Sequence, residues 1–193
     1  MSPRRLRAVV MGASAGGLEA LARVLGALKA DFPLPIAVVQ HVSPVADGSI
    51  PALLDDRCRI RVKEADEKEP LQPGTAYFAP ANYHLLVEQD ATLSLSTEAR
   101  VCFARPSVDV LFQSAAVAFG PALAGVVLTG GNEDGSQGLA AIARAGGLTI
   151  VQAPETATAP EMPRAALAAT PVDHVLPLED IGPLLARMAH DHD

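Results

Sequence analysis

Several residue types are scarce in this chain, and each scarcity excludes a class of protein. Tryptophan is absent from the 193 residues and aromatic residues make up only 4% of them, so the core must be aliphatic. Cys58 and Cys102 form no C-x-x-C pair, which argues against a zinc site or a disulfide scaffold; we expect two reduced, buried or half-buried thiols. No metal or other cofactor is implied.

Basic residues and long apolar runs are also scarce. Lys and Arg number 15 against 22 Asp and Glu, a net charge of −7, and no basic stripe is present, so nucleic-acid binding is disfavoured. No apolar run approaches the roughly 18–20 residues of a membrane span. The apolar residues near the N-terminus are too few for a secretory signal. We therefore expect a cytoplasmic protein without membrane insertion.

Apolar runs alternate with amphipathic stretches along the whole chain. Since 49% of its residues are hydrophobic, the chain is long enough to bury a core as a single domain over residues 1–193. This alternation predicts an α/β fold with a doubly wound, mostly parallel sheet and helices on both faces. The predicted strands are 6–10, 35–41, 60–63, 75–79, 83–87, 91–95, 123–128, 148–151 and 172–176. The predicted helices are 18–25, 50–57, 107–119, 137–144, 164–169 and 178–188.

Residues 59–96 have a different sequence pattern from the rest of the chain. Four short strand candidates follow one another there, separated by turn signals at residues 73–74 and 89–90. We interpret this region as an insertion bearing an antiparallel β-hairpin within the same domain.

A glycine-flanked serine stands between the first predicted strand and the first predicted helix. Residues 12–17 (GASAGG) match the G-x-S-x-G turn that exposes a nucleophilic hydroxyl, here that of Ser14. His41 ends the second strand and Asp134 follows a later one, so all three should lie at the carboxyl edge of the sheet. A histidine can take the serine proton, and a carboxylate can orient that histidine. The chain order Ser…His…Asp differs from the Ser…Asp/Glu…His order of α/β-hydrolases.

Each of these residues also has a structural explanation. Ser14 could cap a helix, His41 could terminate a strand, and Asp134 could cap the helix that follows it. The glycines could instead cradle a phosphate or dinucleotide. Gln40 and His41 stand where that fingerprint places an acidic residue, and no Lys-[Ser/Thr] pair follows the glycines, so both nucleotide readings are disfavoured.

The order of several motifs resembles the catalytic domain of bacterial chemotaxis protein-glutamate methylesterases over nearly the whole chain. These motifs are residues 12–17 (GASAGG), 39–41 (VQH), 62–65 (VKEA), 73–80 (PGTAYFAP) leading to 84–85 (HL), 105–112 (RPSVDVLF), 128–135 (LTGGNEDG) and 162–164 (MPR). The resemblance places the nucleophile on Ser14, the general base on His41 and the orienting carboxylate on Asp134.

The resemblance implies hydrolysis of glutamate γ-methyl esters on chemoreceptor signalling helices, releasing methanol, and leaves open glutamine deamidation by the same acyl-enzyme route. We expect the N–H groups of Ala15 and Gly131 to form the oxyanion hole and Arg105 and Met162 to belong to the substrate cleft. His84 is expected to be structural and away from the site.

The chain departs from the family pattern in three places. Gly131 stands where the family usually has Met, and Ala15 where a hydroxyl residue is common. We also expect no receiver domain of the kind that often precedes this domain, because the first predicted strand begins within a few residues of Met1. We therefore expect a stand-alone esterase, either always open or controlled by a separate regulatory protein. The alternative is a non-catalytic signalling or adaptor domain of the same fold that binds receptors or partner proteins.

Overall fold

A parallel seven-stranded sheet forms the centre of the computed structural model, which describes residues 5–43 and 45–190. Across the sheet the strands are β3 (Arg61–Glu64), β4 (Thr75–Phe78), β2 (Ile36–Gln40), β1 (Ala8–Ala13), β7 (Leu123–Val127), β8 (Leu148–Gln152) and β9 (His174–Leu176). Every neighbouring pair is parallel. β1, β2 and β7 are buried at every position, as expected for strands covered on both faces.

Helices cover both faces, which confirms the predicted fold class. α1 (Gly17–Gly26), α2 (Ser49–Asp55) and α6 (Leu178–His190) contribute to one apolar core, with Val9 and Met11 of β1. α3 (Val108–Phe119), α4 (Ser136–Arg144) and α5 (Glu161–Ala169) contribute to the other, with Ala8 and Val10. Successive β1 residues therefore serve opposite cores, as strand geometry requires. Among the described residues no helix is both long and apolar enough to cross a bilayer.

The region 59–96 divides differently from the prediction. β5 (His84–Val87) and β6 (Leu93–Ser96) do form the separate antiparallel hairpin. β3 and β4, however, are parallel strands at one side of the main sheet, with β3 at its edge, and are not part of the insertion. In sequence, two short strands separated by a Pro-Gly turn resemble a hairpin. In the structure, the segment that connects β3 to β4 runs beside the β5–β6 hairpin, where the Lys68 amide donates to Leu93 O at 2.8 Å.

Two helix starts bear on the functional site. Ser107 caps α3, as predicted, with its side chain accepting from the Val110 amide. α5 begins at Glu161, three residues earlier than predicted. Pro163 does not delay the helix because the first turn needs no intrahelical N–H donors.

Candidate active site

The three residues predicted to react lie at one edge of the sheet. β2, β1 and β7 are adjacent, so the residues after their carboxyl ends converge. Ala13 and Gln40 are register partners, and Ser14 and His41 each follow by one residue. The Ser14 amide donates to Thr129 O at 2.9 Å and the His41 amide donates to Ala13 O at 3.0 Å. Backbone pairing thus brings Ser14, His41 and the loop after β7 together.

His41 and Asp134 form a short hydrogen bond. His41 Nε2 lies 2.7 Å from Asp134 Oδ2. The Asp134 side chain is completely buried, whereas 13% of the His41 side chain is exposed. An ionised carboxylate only accepts, so Nε2 carries the hydrogen and Nδ1 keeps its lone pair when the ring is neutral. The imidazole is therefore oriented as a base with Nδ1 as its free nitrogen.

Asp134 lies at the N-terminus of α3, which fixes its charge. Oδ2 also accepts from the Val108 amide at 2.7 Å, while Oδ1 accepts from the Ser107 hydroxyl at 2.8 Å and the Asp109 amide at 2.9 Å. Burial acts to raise the pKa of Asp134, but the bonds from His41 and the two amides outweigh it and hold the pKa below its ordinary value. The carboxylate is thus ionised at neutral pH.

The reactive atoms of Ser14 and His41 are unengaged. Within the described residues, neither the Ser14 hydroxyl nor His41 Nδ1 makes a hydrogen bond. Ser14 is half-buried beside the glycine turn. Catalytic hydrogen bonds are often absent before substrate binds and tighten in the complex.

Gln40 connects the backbones of Ser14 and His41, a role that was not predicted from the sequence. Its Nε2 donates to Ser14 O and to His41 O, both at 3.0 Å. The amide is buried, and its Oε1, which has no hydrogen-bond partner in the described part of the chain, occupies space that a side chain on Gly17 would fill. A polar residue ending an otherwise apolar buried strand was the available signal.

A second buried carboxylate, also missed, supports the Asp134 loop. Asp109 Oδ1 accepts from the Gly135 amide at 3.0 Å and from the Gly138 amide at 2.6 Å. Burial raises the pKa of Asp109; the amide of Gly138 opposes this and the charge of Asp134 adds to it. Asp109 therefore ties α3 to the start of α4, next to Asp134.

His84 lies closer to the site than the sequence suggested. Its ring is buried, and its Nε2 bonds to Ala99 O at 2.9 Å while its Nδ1 accepts from the Ser107 amide at 3.2 Å. Ser107 in turn holds Asp134. The hairpin that carries His84 thus supports the carboxylate through one intervening residue.

The two predicted oxyanion donors are free. Ala15 and Gly131 are exposed, and within the described residues their amides donate no hydrogen bond. Gly131 has open space around the position of a Cβ.

Arg105 and Met162, both predicted to belong to the cleft, lie in different places. Arg105 lines a cavity of about 260 Å³ together with His41 and Asn132. Met162 is only 1% exposed and does not line that cavity. Because α5 begins at Glu161, the side chain of Met162 points inward and packs against Gly130, behind the loop that adjoins Ser14. This burial contradicts the expectation that Met162 belongs to the substrate cleft.

One group of side chains in the described residues has the spacing of metal ligands. The ligand atoms of Cys102, Asp109 and Asp134 lie within 4.8 Å of one another. The carboxylate oxygens named above already accept hydrogen bonds. Burial, followed by the charge of Asp134, raises the pKa of the half-buried Cys102 thiol, which disfavours the thiolate that a metal needs. Asp134 therefore fits the support of His41, and Asp109 the support of the adjacent loop, better than either fits a metal.

Comparison with known proteins identifies the family. The CheB methylesterase family model matches residues 9–185. A Leptospira interrogans relative, provisionally named a protein-glutamate methylesterase/protein-glutamine glutaminase, is 49% identical over 94% of each chain. Protein-glutamate methylesterase/protein-glutamine glutaminase 5 of Anaeromyxobacter dehalogenans is 42% identical over 94% of this chain, which spans 51% of that protein.

A solved structure agrees with these relatives. The crystal structure of the Thermotoga maritima CheB methylesterase catalytic domain superposes with a TM-score of 0.91 at 32% identity, covering 95% of this chain and 98% of that one. The resemblance read from the ordered motifs, and with it the expectation of an enzyme of this class, is confirmed. The chain belongs to the CheB methylesterase family.

Proposed function

We propose that this protein is a cytoplasmic serine esterase that hydrolyses glutamate γ-methyl esters on the signalling helices of chemoreceptors. The observation that carries the proposal is the His41–Asp134 pair beside Ser14, at the carboxyl end of three adjacent strands. Relatives named for methylesterase and glutaminase activities support the substrate class.

In the first half-reaction, the Ser14 hydroxyl attacks the ester carbonyl and passes its proton to His41 Nδ1. Asp134 stabilises the imidazolium through Nε2. The amides of Ala15 and Gly131 donate to the oxyanion of the tetrahedral intermediate. Collapse of the intermediate breaks the bond to the methoxy oxygen, which takes the proton from His41 and leaves as methanol.

In the second half-reaction, water replaces methanol. His41 Nδ1 takes a proton from the water as it attacks the acyl-enzyme carbonyl. The second intermediate collapses, Ser14 recovers its proton, and glutamate is released. With a glutamine side chain the same route expels ammonia in place of methanol, so deamidation needs no additional group.

Ser14→Ala tests the proposal. We expect wild type to release methanol from a peptide containing γ-methyl glutamate, and Ser14→Ala to lose at least 10³-fold in turnover because no acyl-enzyme can form. A fluorophosphonate should add covalently to Ser14 in wild type only, as read by peptide mass spectrometry.

Ser136 is buried and begins α4, so it is not a suitable control. Ser43→Ala, at an exposed position in the loop after His41, provides a control outside the proposed machinery. Equal methanol release by wild type and Ser14→Ala would overturn the proposal. Absence of release from both, with receptor binding retained, would favour the adaptor alternative.

A further inference from the structure

One phenylalanine differs from all the others in the chain. Phe103 is 97% exposed, whereas the other four, Phe32, Phe78, Phe112 and Phe119, are at most 8% exposed. A fully exposed aromatic ring gains nothing from the hydrophobic effect within this chain. The exposure of Phe103 is therefore not explained by packing of the hydrophobic core.

The backbone holds Phe103 in place. The amides of Val101 and Ala104 donate to each other's carbonyls at 3.0 and 2.8 Å, closing a two-residue turn with Cys102 and Phe103 at its centre. The φ angles of Cys102 and Phe103 are 48° and 63°, in the left-handed region that normally takes Asn or Gly. Residues held in this region cost stability and mark functional sites more often than chance.

Arg105 anchors the same turn. Its guanidinium donates to Asn82 Oδ1 at 2.8 Å, to Thr97 O at 2.7 Å and to Glu98 O at 2.9 Å. These bonds connect the turn to the segment that follows β6 and to the loop between β4 and β5. Phe103 is thus presented by an anchored segment, which limits the entropy that a partner must overcome on binding.

The turn forms a wall of the cavity that contains His41. Its lining residues are His41, Val42, Arg100, Cys102, Phe103, Ala104, Arg105, Pro106 and Asn132. Among the described residues, the lining has two arginines and no carboxylate, although the chain as a whole carries a net charge of −7. Glu133, exposed beside Asn132, is not part of it. The charge of the lining complements an acidic partner that also offers an apolar side chain to Phe103.

We propose that the 101–104 turn, with Arg100, is the specificity contact for the protein substrate: Phe103 packs on an apolar side chain of an acidic segment, and Arg100 pairs with one of its carboxylates. This rests on the proposed function, because the segment is the one that carries the methyl ester to Ser14. Aromatic residues, phenylalanine among them, and arginine are enriched at protein interfaces.

Three esters test the proposal. The first is a 15-residue helical peptide with one γ-methyl glutamate, flanked by glutamates and leucines at i±3 and i±4. The second replaces the flanking glutamates by glutamine. The third is N-acetyl glutamate α-amide γ-methyl ester, which is too small to reach the turn. The readout is methanol release, as kcat/KM.

For Phe103→Ala, the ratio of kcat/KM on the acidic peptide to that on the small ester should fall about tenfold, mainly through KM. For Arg100→Gln, the preference for the acidic over the neutral peptide should fall about threefold, and the loss should vanish at high salt. Val117→Ala, in a 71% exposed position on α3 outside the cavity lining, should leave both ratios as in wild type.

Phe103→Gly separates recognition from folding. Glycine adopts positive φ without strain, so this variant should keep or raise the melting temperature while losing the same peptide preference as Phe103→Ala. A lower melting temperature for Phe103→Gly, or unchanged ratios for Phe103→Ala, would overturn the proposal. Failure of wild type to hydrolyse even the small ester would contradict the proposed function instead.

Discussion

At the scale of single residues, the site depends on side chains that do not touch the reacting atoms. Gln40 is the clearest case, because one buried NH₂ group bonds to the carbonyls of both Ser14 and His41. The nucleophile and the base come from different strands, and this amide adds a direct link between them. Precise placement matters since a small displacement of a catalytic group can cost 10²-fold in rate.

Gln40→Glu should therefore impair catalysis more than binding. The carboxylate would face two carbonyl oxygens with no hydrogen to donate, so the backbones of Ser14 and His41 should separate. We expect kcat on the small ester to fall by about 10–100-fold with little change in KM. Gln137→Glu, on an exposed position of α4, provides the matched control. If kcat for Gln40→Glu equals that of the control variant, Gln40 does not position the pair.

At the scale of elements, α3 is the helix on which the site rests. Its first turn supplies two amides to Asp134, and its capping residue Ser107 supplies a hydroxyl. A helix N-terminus stabilises negative charge, so the element that builds the second core also keeps the orienting carboxylate ionised.

Ser107→Ala tests this coupling. Loss of the cap should lower the free energy of unfolding by about 1 kcal/mol. Loss of the bond to Oδ1 should also raise the pKa of Asp134, so the acidic limb of the kcat/KM profile should move to higher pH. Ser114→Ala, further along α3, removes a bond from the Val87 amide and should reduce stability without moving that limb. Equal pH profiles for the two variants would show that Ser107 acts only as a cap.

The positions of the helices and strands could be predicted from the sequence more completely than the pairing of the strands. Hydrophobic periodicity located β1, β2 and β7, and the rule that sites lie at carboxyl ends of strands selected Ser14, His41 and Asp134. Periodicity carries no information on which strands pair, so β3 and β4 were assigned to the hairpin insertion although they extend the sheet. Met162 was misplaced for a related reason, since one turn of helix at the start of α5 decides whether its side chain points inward.

At the scale of the whole molecule, two buried carboxylates side by side give stability opposite dependences on pH. The pKa of Asp134 is lowered in the folded state from the ordinary 3.8, so its contribution is present above that value and is lost as pH falls through the folded pKa. The pKa of Asp109 is raised, so its contribution is fully present below 3.8 and is lost as pH rises through the folded pKa.

Asn substitutions of Asp134 and Asp109 should separate their contributions to the pH dependence of stability. Asp134→Asn should be less stable than wild type at pH 7, and the difference should shrink as pH falls below 3.8, where wild type also loses the charge. The deficit of Asp109→Asn should instead grow as pH falls, since wild type gains stability when Asp109 is protonated. Urea unfolding followed by circular dichroism between pH 3 and 7 measures both differences. Parallel slopes for the two variants would contradict the opposite pKa shifts, and with them the view that α3 holds one carboxylate charged for catalysis next to one whose charge burial disfavours.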